Sequence, residues 1–441
     1  MVKEVIATTS IRWAGSFLAF ALTFSSAAEV PSDHAVDVAI ARISRSEPGK
    51  NPPAGSVDTS AGFTDNVDRS DPNFVTASLL WIGPGNEFFG CAGHSSIRLE
   101  CPKFNLDYCF SCESESIRDN YFRFVMGDLK TGMFAIPTAD FLKVYEKLGR
   151  SATQYKLTLP PDVKQRLWKI LDEKVAAGRC LPYDYIKYCC VQTMVQPLLE
   201  AIPPYQLKPA PWPDIYKLTR REVLANDLEW CPWTRFFLHT IAGTEVDREV
   251  SPFKSVILSR DFVNLLKGAT INGKHIIEGE GEVLLPFQKP EKTAVVAPMG
   301  VACIVVAIAV MNLFVKVPWI DWIFLGFQSL LGLLLTHLLC VSSLPATDWN
   351  WLIVPFNLLP LVFWKWRQKW ALWFASVLVL WEIGMIAYPH QLTDAAYLVL
   401  VGAYIVFYLK FTRFVRDVLN RVHYGMATCK GSLQAQTGDN P

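Results

Sequence analysis

The stretch Ala302-Cys303-Ile304-Val305-Val306-Ala307-Ile308-Ala309-Val310 lies inside a charge-free run of 22 residues, Ala294–Val315, and it decides how the chain is built. A run of that length and polarity meets the ~20 residues a helix needs to cross ~30 Å of hydrocarbon. It opens a longer block. From Thr293 to Leu409 the only charged residues are Lys316, Asp321, Asp348, Lys365, Arg367, Lys369, Glu382 and Asp394, and nine of the chain's 15 Trp lie there. The whole-chain averages over 441 residues, 51% hydrophobic and 19% charged with net charge +1, blur this division. A mean hydropathy of +0.22 therefore describes two unlike parts, an aqueous one followed by a membrane one. The near-zero charge provides no field for gripping a nucleic-acid backbone, so no nucleic-acid partner is expected.

Five spans are read in the membrane part: Ala294–Val315, Trp319–Ser342, Trp351–Trp364, Trp370–Tyr388 and Ala395–Leu409. The third is short for a perpendicular helix and is also compatible with a re-entrant segment. Lys316, then Lys365, Arg367 and Lys369, then Lys410, Arg413, Arg416 and Arg421 fall at alternate ends, with Asp348 and Asp394 opposite. The positive-inside rule then puts the aqueous part outside and the C-terminus in the cytoplasm. A multi-pass protein of the inner (cytoplasmic) membrane is expected, with its N-terminal domain periplasmic.

Lys3 and Arg12, the apolar run Trp13–Phe24 and the small residues Ser25 to Ala28 read as a cleavable signal over residues 1–28. Residues 29–71, rich in Ser, Pro, Asp and Gly, read as a flexible linker. The periplasmic domain is expected over residues 72–292, the transmembrane domain over 293–411 and the tail over 412–441. In the periplasmic domain Val75–Ile82 and Ser95–Leu99 read as strands. Pro160-Pro161-Asp162 opens a helix, Val163–Ala177, that Gly178 stops.

Eight of the 11 Cys precede the membrane part: Cys91, Cys101, Cys109, Cys112, Cys180, Cys189, Cys190 and Cys231. Outside the cytoplasm most are expected in structural disulfides, whose connectivity the sequence leaves open. Cys109-x-x-Cys112 has the spacing of half a zinc site, but no second ligand pair follows, so no metal is expected. No cofactor motif is present either.

Two stretches carry more. Gly90-Cys91-Ala92-Gly93-His94-Ser95-Ser96-Ile97-Arg98-Leu99 leads a histidine through a glycine-bracketed turn into a strand. Tyr183-Asp184-Tyr185-Ile186-Lys187-Tyr188-Cys189-Cys190 runs into a helix-like segment that ends near Leu199. A cysteine at a helix N-terminus is held toward thiolate by the macrodipole, and a histidine on a neighbouring strand can take and return its proton. Read by themselves, such a Cys and His are more often structural.

These stretches resemble the Lnb family of lipoprotein N-acyltransferases. The Gly-His-[Ser/Thr]-x-x-Arg pattern stands as Gly93 to Arg98, and Tyr-Asp-Phe-x-x-x-Asn-Cys stands as Tyr183 to Cys190. The Tyr121–Leu129 segment, Tyr145 to Arg150, and Trp233 through Gly243 to Asp247 follow the family in order, as do Trp319-Ile320-Asp321, Gly332 and Asp348-Trp349-Asn350 in the membrane part. Two departures stand out: Cys189 replaces the usual Asn, and Phe110-Ser111-Cys112-Glu113 replaces Tyr-Asn-Tyr-Gly.

The resemblance implies an α+β papain-like/NlpC-like thiol domain, permuted as in lecithin:retinol acyltransferase, followed by an all-α transmembrane bundle of about five helices. It implies Cys190 as nucleophile and His94 as its base and then acid. An acyl chain would pass from a phospholipid through a Cys thioester to the N-terminal amine of a lipidated lipoprotein, without a cofactor. Ser111 or Asp107 is expected to orient His94. Tyr183, Asp184 and Cys189 are expected to shape the cysteine turn. Arg98, His337 and Asn350 are candidates for lipid contact, each with a plainer reading: an ion pair for Arg98, solvation for His337 and a cap for Asn350. An envelope cysteine peptidase or amidase with the same dyad, and a catalytically idle membrane scaffold, are the alternatives.

Overall fold

The computed structural model describes residues 71–85, 90–115, 117, 120–178, 181–184, 189–209, 218–248, 256, 258–286, 296–315, 317–387, 394–418 and 421. The expected signal, nearly all of the expected linker and most of the expected tail lie outside them.

The N-terminal part is α/β. Its elements, in order, are β1 (Thr76–Ile82), β2 (His94–Cys101), β3 (Leu106–Ser114), α1 (Tyr121–Met126), β4 (Lys130–Pro137), α2 (Thr138–Lys147), β5 (Ala152–Lys156), α3 (Pro161–Ala176), β6 (Leu181–Pro182) and α4 (Cys190–Ala201). β7 (Leu207–Lys208), α5 (Arg220–Asp227), α6 (Pro232–Ile241), α7 (Ser259–Gly268), β8 (Thr270–Ile271), β9 (Lys274–His275) and β10 (Glu282–Leu285) follow. Seven strands form one antiparallel sheet in the order β10-β5-β1-β2-β3-β4-β6.

Strand alternation sorts side chains between two cores. Leu79 faces Ile97, and Ile97 faces Phe110, across β1, β2 and β3. These pack with Leu99 under α3, α4 and α7 through Leu167, Leu171, Met194, Leu198 and Phe262. The opposite face places Leu80, Ile82 and Cys109 against Phe141 and Tyr145 of α2. The expected helix is α3, beginning two residues earlier than Val163 because Pro161 occupies its N-terminal position, where the missing N–H costs nothing. Gly178 follows it at φ +54°, a left-handed conformation that suits glycine.

The C-terminal part is helical: α8 (Pro298–Val315), α9 (Pro318–Cys340), the short α10 (Leu359–Val362), α11 (Arg367–Ala387) and α12 (Ala396–Leu409). Among the described residues three helices are long and apolar enough to cross a membrane, α8, α9 and α11 with its leading turn. α12 has 14 residues, about 21 Å of helix, and is shorter.

The expected third span is corrected. Residues 351–366 form no continuous helix but two short 3₁₀ turns, Trp351–Ile353 and Trp364–Trp366, on either side of α10. Pro355 and Pro360 cannot donate to a helical ladder, and Asn357 accepts from Leu359 N instead, which favours breaks here. The segment still runs from one end of the bundle to the other. Trp351 O accepts Trp381 Nε1 at the end that carries Asn350, whereas Trp364 stacks on Phe407 and meets Phe411 edge-on at the end where Lys410 pairs with Asp321. Its exposed carbonyls are satisfied from side chains, Gln328 Nε2 to Pro355 O at 2.7 Å and Asn357 Nδ2 to Val354 O at 2.7 Å. Non-helical backbone in an apolar bundle is tolerated where side chains satisfy its carbonyls, as at Pro355 and Val354. Gly332 of α9 makes the close approach possible, since a Cβ there would lie 2.5 Å from Asn357 Cα.

The two parts are strapped together. The loop after α9 lends Ser343 N and Ser342 Oγ to the carbonyls of Met126 and Val125, beside α1. Gly243 N donates to Ala346 O at 2.7 Å, Asn350 Nδ2 to Thr240 O at 2.7 Å, and Arg235 pairs with Asp394 at 2.8 Å. Thr240 bonds the Tyr397 hydroxyl, and Phe236 stacks on the Tyr397 ring at 4.3 Å. At Gly243 a Cβ would meet Asp348 O at 1.8 Å. Gly243→Val is expected to force this seam apart at a cost of about 3 kcal/mol, read as a lower melting temperature of the detergent-solubilised protein.

Candidate active site

The site is built at the sheet end that faces the bundle. β2 starts there with His94, β3 ends there with Ser111 and Glu113, and the β3–β4 connection carries α1 and Gly127 onto the backbone of Leu344. Tyr183 N bonds Leu129 O at 2.6 Å, and the Tyr183 ring packs into the cluster that continues into the membrane helices. Gly93 turns the chain into β2 at φ +77°, and a Cβ there would meet Ile82 O at 2.9 Å, so the residue before His94 is restricted to glycine.

Cys190 is the first residue of α4, a helix of 12 residues, where the opening N–H groups lack intrahelical partners and favour negative charge. Its side chain hydrogen-bonds to His94. Burial pushes the Cys190 thiol up, but the His94 imidazolium, that hydrogen bond and the Ser95 amide pull it below the ordinary thiol value. Burial pulls His94 down, yet the Cys190 and Glu113 charges hold it up to about 10. Each partner thus favours the charged form of the other, the direction that would activate a thiol as a nucleophile.

Ser111, one of the two residues expected to orient His94, lies beside it, and behind Ser111 stands a carboxylate that sequence reasoning missed, Glu113. His94 Nε2 lies 2.7 Å from Ser111 Oγ, Ser111 Oγ donates to Glu113 Oε1 at 2.6 Å, and Glu113 Oε1 stands 3.5 Å from His94 Nε2. Burial raises Glu113, but His94, Ser111 and Arg150 outweigh it and keep the carboxylate ionised. The signal was present as Ser111 and Glu113 two apart on one strand, hence on one face. The His94 ring also stacks on Tyr145 at 5.9 Å, and Arg150 lies 5.0 Å above that tyrosine ring. This arrangement gives the Tyr145 to Arg150 stretch a physical task.

Asp107 does not reach His94. It sits opposite Glu100, at the far end of β2, and its carboxylate is taken by Arg98 and Thr138. Arg98 is likewise engaged, with Asp107 in a bidentate pair at 2.8 Å, Glu100 at 2.9 Å and Gln154 at 2.6 Å. A guanidinium so enclosed by carboxylates is not available to a lipid phosphate. Asn350 caps the Trp351–Ile353 turn through Leu352 N and ties the loop to α6, so its polar atoms are spent on structure. His337 lies in the last turn of α9, where its carbonyl receives Val341 N and Ser342 N.

Cys189 occupies the N-cap of α4, where its side chain makes no cap hydrogen bond. Burial raises its thiol far above the ordinary value, although the Gln192 and Val191 amides partly offset this. The two adjacent thiols are thus shifted in opposite directions, Cys189 up and Cys190 down. Asp184 is buried, and its charge supports Arg220, whose basicity burial otherwise lowers. Among the described residues no cluster of three metal-binding side chains occurs.

A thiol–imidazole–carboxylate group at the membrane-facing end of an α/β domain, strapped to apolar helices, defines a membrane protein with a candidate thiol site. Residues 63–221 match the family model of the Lnb N-terminal periplasmic domain, and this range contains both His94 and Cys190. The match lies within the N-terminal part of the chain and marks that part as an Lnb-type periplasmic domain. No curated protein and no solved structure matches it.

Glu113→Gln removes a charge that raises His94, so the His94 pKa is expected to fall and the alkaline limb of any activity profile to move to lower pH. A drop of about 10- to 100-fold in kcat with KM little changed is expected. A profile that keeps its alkaline limb would assign Glu113 a purely structural role.

Proposed function

We propose that the protein is a thiol-dependent N-acyltransferase of the inner membrane, moving an acyl chain from a phospholipid to the N-terminal amine of lipoproteins. The observation that carries this reading is the position of the Cys190–His94 pair at the end of the domain strapped to the membrane helices. A soluble peptidase would gain nothing from that location, whereas a phospholipid ester has to be met at the bilayer. The permuted papain-like arrangement, with the histidine strand ahead of the cysteine helix, belongs to the same proposal.

The Cys190 thiolate attacks the ester carbonyl of the donor, and a tetrahedral oxyanion forms beside the unpartnered N–H groups that open α4. Collapse expels the lysophospholipid alkoxide, which takes the proton held on His94. The acceptor's free amine then attacks the thioester while His94, held by Ser111 and Glu113, removes its proton. The amide forms and the Cys190 thiolate is restored. Water has to be kept away, since the thioester otherwise hydrolyses.

Reconstitution tests the reading. The full-length protein in vesicles of phospholipid, given a diacylated lipopeptide with a free α-amine, is expected to add one acyl mass to the peptide amine. Release of free fatty acid with an unmodified peptide would instead make it a lipid hydrolase. Cleavage of a muropeptide with no acyl chemistry would make it an envelope peptidase or amidase.

A further inference from the structure

A pocket opens on the seam between the two parts, with Arg221 and Asp247 on the α/β side and Trp349, Trp351, Trp381 and Met385 on the helical side. Trp381 and Met385 are four apart on α11, hence one above the other on a single face. They belong to the apolar cluster against which Tyr183, seven residues before Cys190, also packs.

Two features of this pocket are not explained by the protein's own packing. The first is Arg221 of α5, which is 4% exposed. Its Nε and Nη2 donate to Asp247 at 2.6 and 3.1 Å, and Nη2 also donates to Gly243 O at 2.8 Å. Asp247 thereby takes one edge of the planar guanidinium, while Nη1 is buried and has no partner among the described residues. A buried donor left without an acceptor costs ~1–3 kcal/mol, so an acceptor seated in the pocket is its natural complement. The second is Trp349, which is 74% exposed and held at φ +53°, a left-handed conformation that bulky side chains rarely adopt. Neither burial nor backbone preference favours tryptophan there, whereas a bilayer–water boundary does.

We propose that this pocket seats the headgroup of a membrane phospholipid, with a phosphate oxygen accepting from Arg221 Nη1 and the acyl chains running down the Trp381–Met385 face of α11. The free guanidinium edge matches the oxygens of a phosphate, and the indoles set the ligand at headgroup depth. Inorganic phosphate offers the same oxygens but no chains for the apolar wall to cover. That the bound lipid is the acyl donor rests on the acyltransferase reading; its binding does not.

The test uses full-length Cys190→Ser protein in a phosphate-free sugar detergent, which keeps turnover out of the readout. A phosphatidylglycerol carrying a diazirine in its headgroup is added and flashed, and the captured peptides are found by mass spectrometry. Capture is expected on peptides containing residues 242–247 and 349–352. Excess unlabelled phosphatidylglycerol is expected to lower it about ten-fold, whereas diacylglycerol and inorganic phosphate leave it unchanged. Arg221→Gln strands Asp247 and can fail to fold, so Trp349→Asn carries the mutational arm. Asparagine suits the left-handed backbone, and this variant is expected to keep its melting temperature while losing about five-fold in capture. Met385→Trp, which fills the pocket from α11, is expected to lose about ten-fold. Capture confined to other surfaces of the helices overturns the proposal, as does undiminished capture in both variants. Competition by inorganic phosphate equal to that of the lipid makes this a site for the free anion, and equal competition by diacylglycerol a site for chains alone; either overturns it. Capture in the pocket by a protein that transfers no acyl chain would sustain the lipid site and remove only the donor role.

Discussion

Cys190→Ser is expected to lower acyl transfer by about 10⁴-fold or more, to the background of the assay. The physical basis is that, among the described residues, Cys190 is the thiol that His94 draws toward its anion. Serine keeps the hydroxyl near His94, but its oxygen is not ionised by an imidazole, so the ready anion is lost. Cys189 stands next to it and cannot substitute. Its thiol is buried and pushed far above the ordinary value, and it sits at the N-cap of α4. Cys189→Ala is accordingly expected to leave transfer within a few-fold of the original, which distinguishes the two thiols by measurement. Transfer is read as the acyl mass gained by a lipopeptide amine, with circular dichroism showing that each variant is folded.

His94→Gln carries the second-largest effect, and it acts on two observables. The first is transfer, expected to fall by about 10³-fold because both the proton acceptor and the proton donor are removed. The second is the reactivity of Cys190 itself. Burial acts to raise that thiol, and the His94 imidazolium is what reverses the direction. Without it the thiol rises above its ordinary value, and alkylation by iodoacetamide at pH 7 is expected to slow by about 100-fold. The pH dependence has a definite sign. In the native pair His94 stays protonated up to about 10, so rapid alkylation persists from mildly acidic pH through neutrality. Because the folded value lies above the unfolded one, the stability His94 contributes is complete below about 6.5 and is lost as pH rises through about 10. An alkylation rate in His94→Gln equal to that of the native protein at pH 7 would show that helix α4 alone sets the thiol.

The chain's two-part organisation was legible because charge density falls at Thr293 and stays low, a property that no folding detail can hide. β1, β2 and α3 were legible for a similar reason, since their alternation and spacing are local. His94 and Cys190 were singled out by the family resemblance, and each sits on a backbone demand: glycine at positive φ before one, a helix start under the other. What failed was whatever depended on register. Asp107 and Ser111 are both on β3, and only the pairing of Asp107 with Glu100 reveals that it lies at the wrong end of the strand from His94. Arg98 is committed to Asp107 by the same register. Glu113 stood in a stretch where the family pattern is replaced, so motif matching passed over it even though strand geometry pairs it with Ser111. In the membrane part, hydropathy located the apolar segment 351–364 but not its shape. Prolines and a polar Asn357 break it into turns, and Gln328 and Trp381 supply the hydrogen bonds that a helix would have made internally.

The central claim is that a thiolate at Cys190 accepts an acyl chain from the bilayer, and the mass of the intact protein tests it most directly. After incubation in phospholipid vesicles without an acceptor, the protein is expected to carry one added acyl chain on Cys190. Neutral hydroxylamine is expected to remove it, as a thioester requires. The adduct is expected to be absent from Cys190→Ser and retained in Cys189→Ala. An unmodified mass with every phospholipid offered, or an acyl chain located on Cys189, would contradict the account.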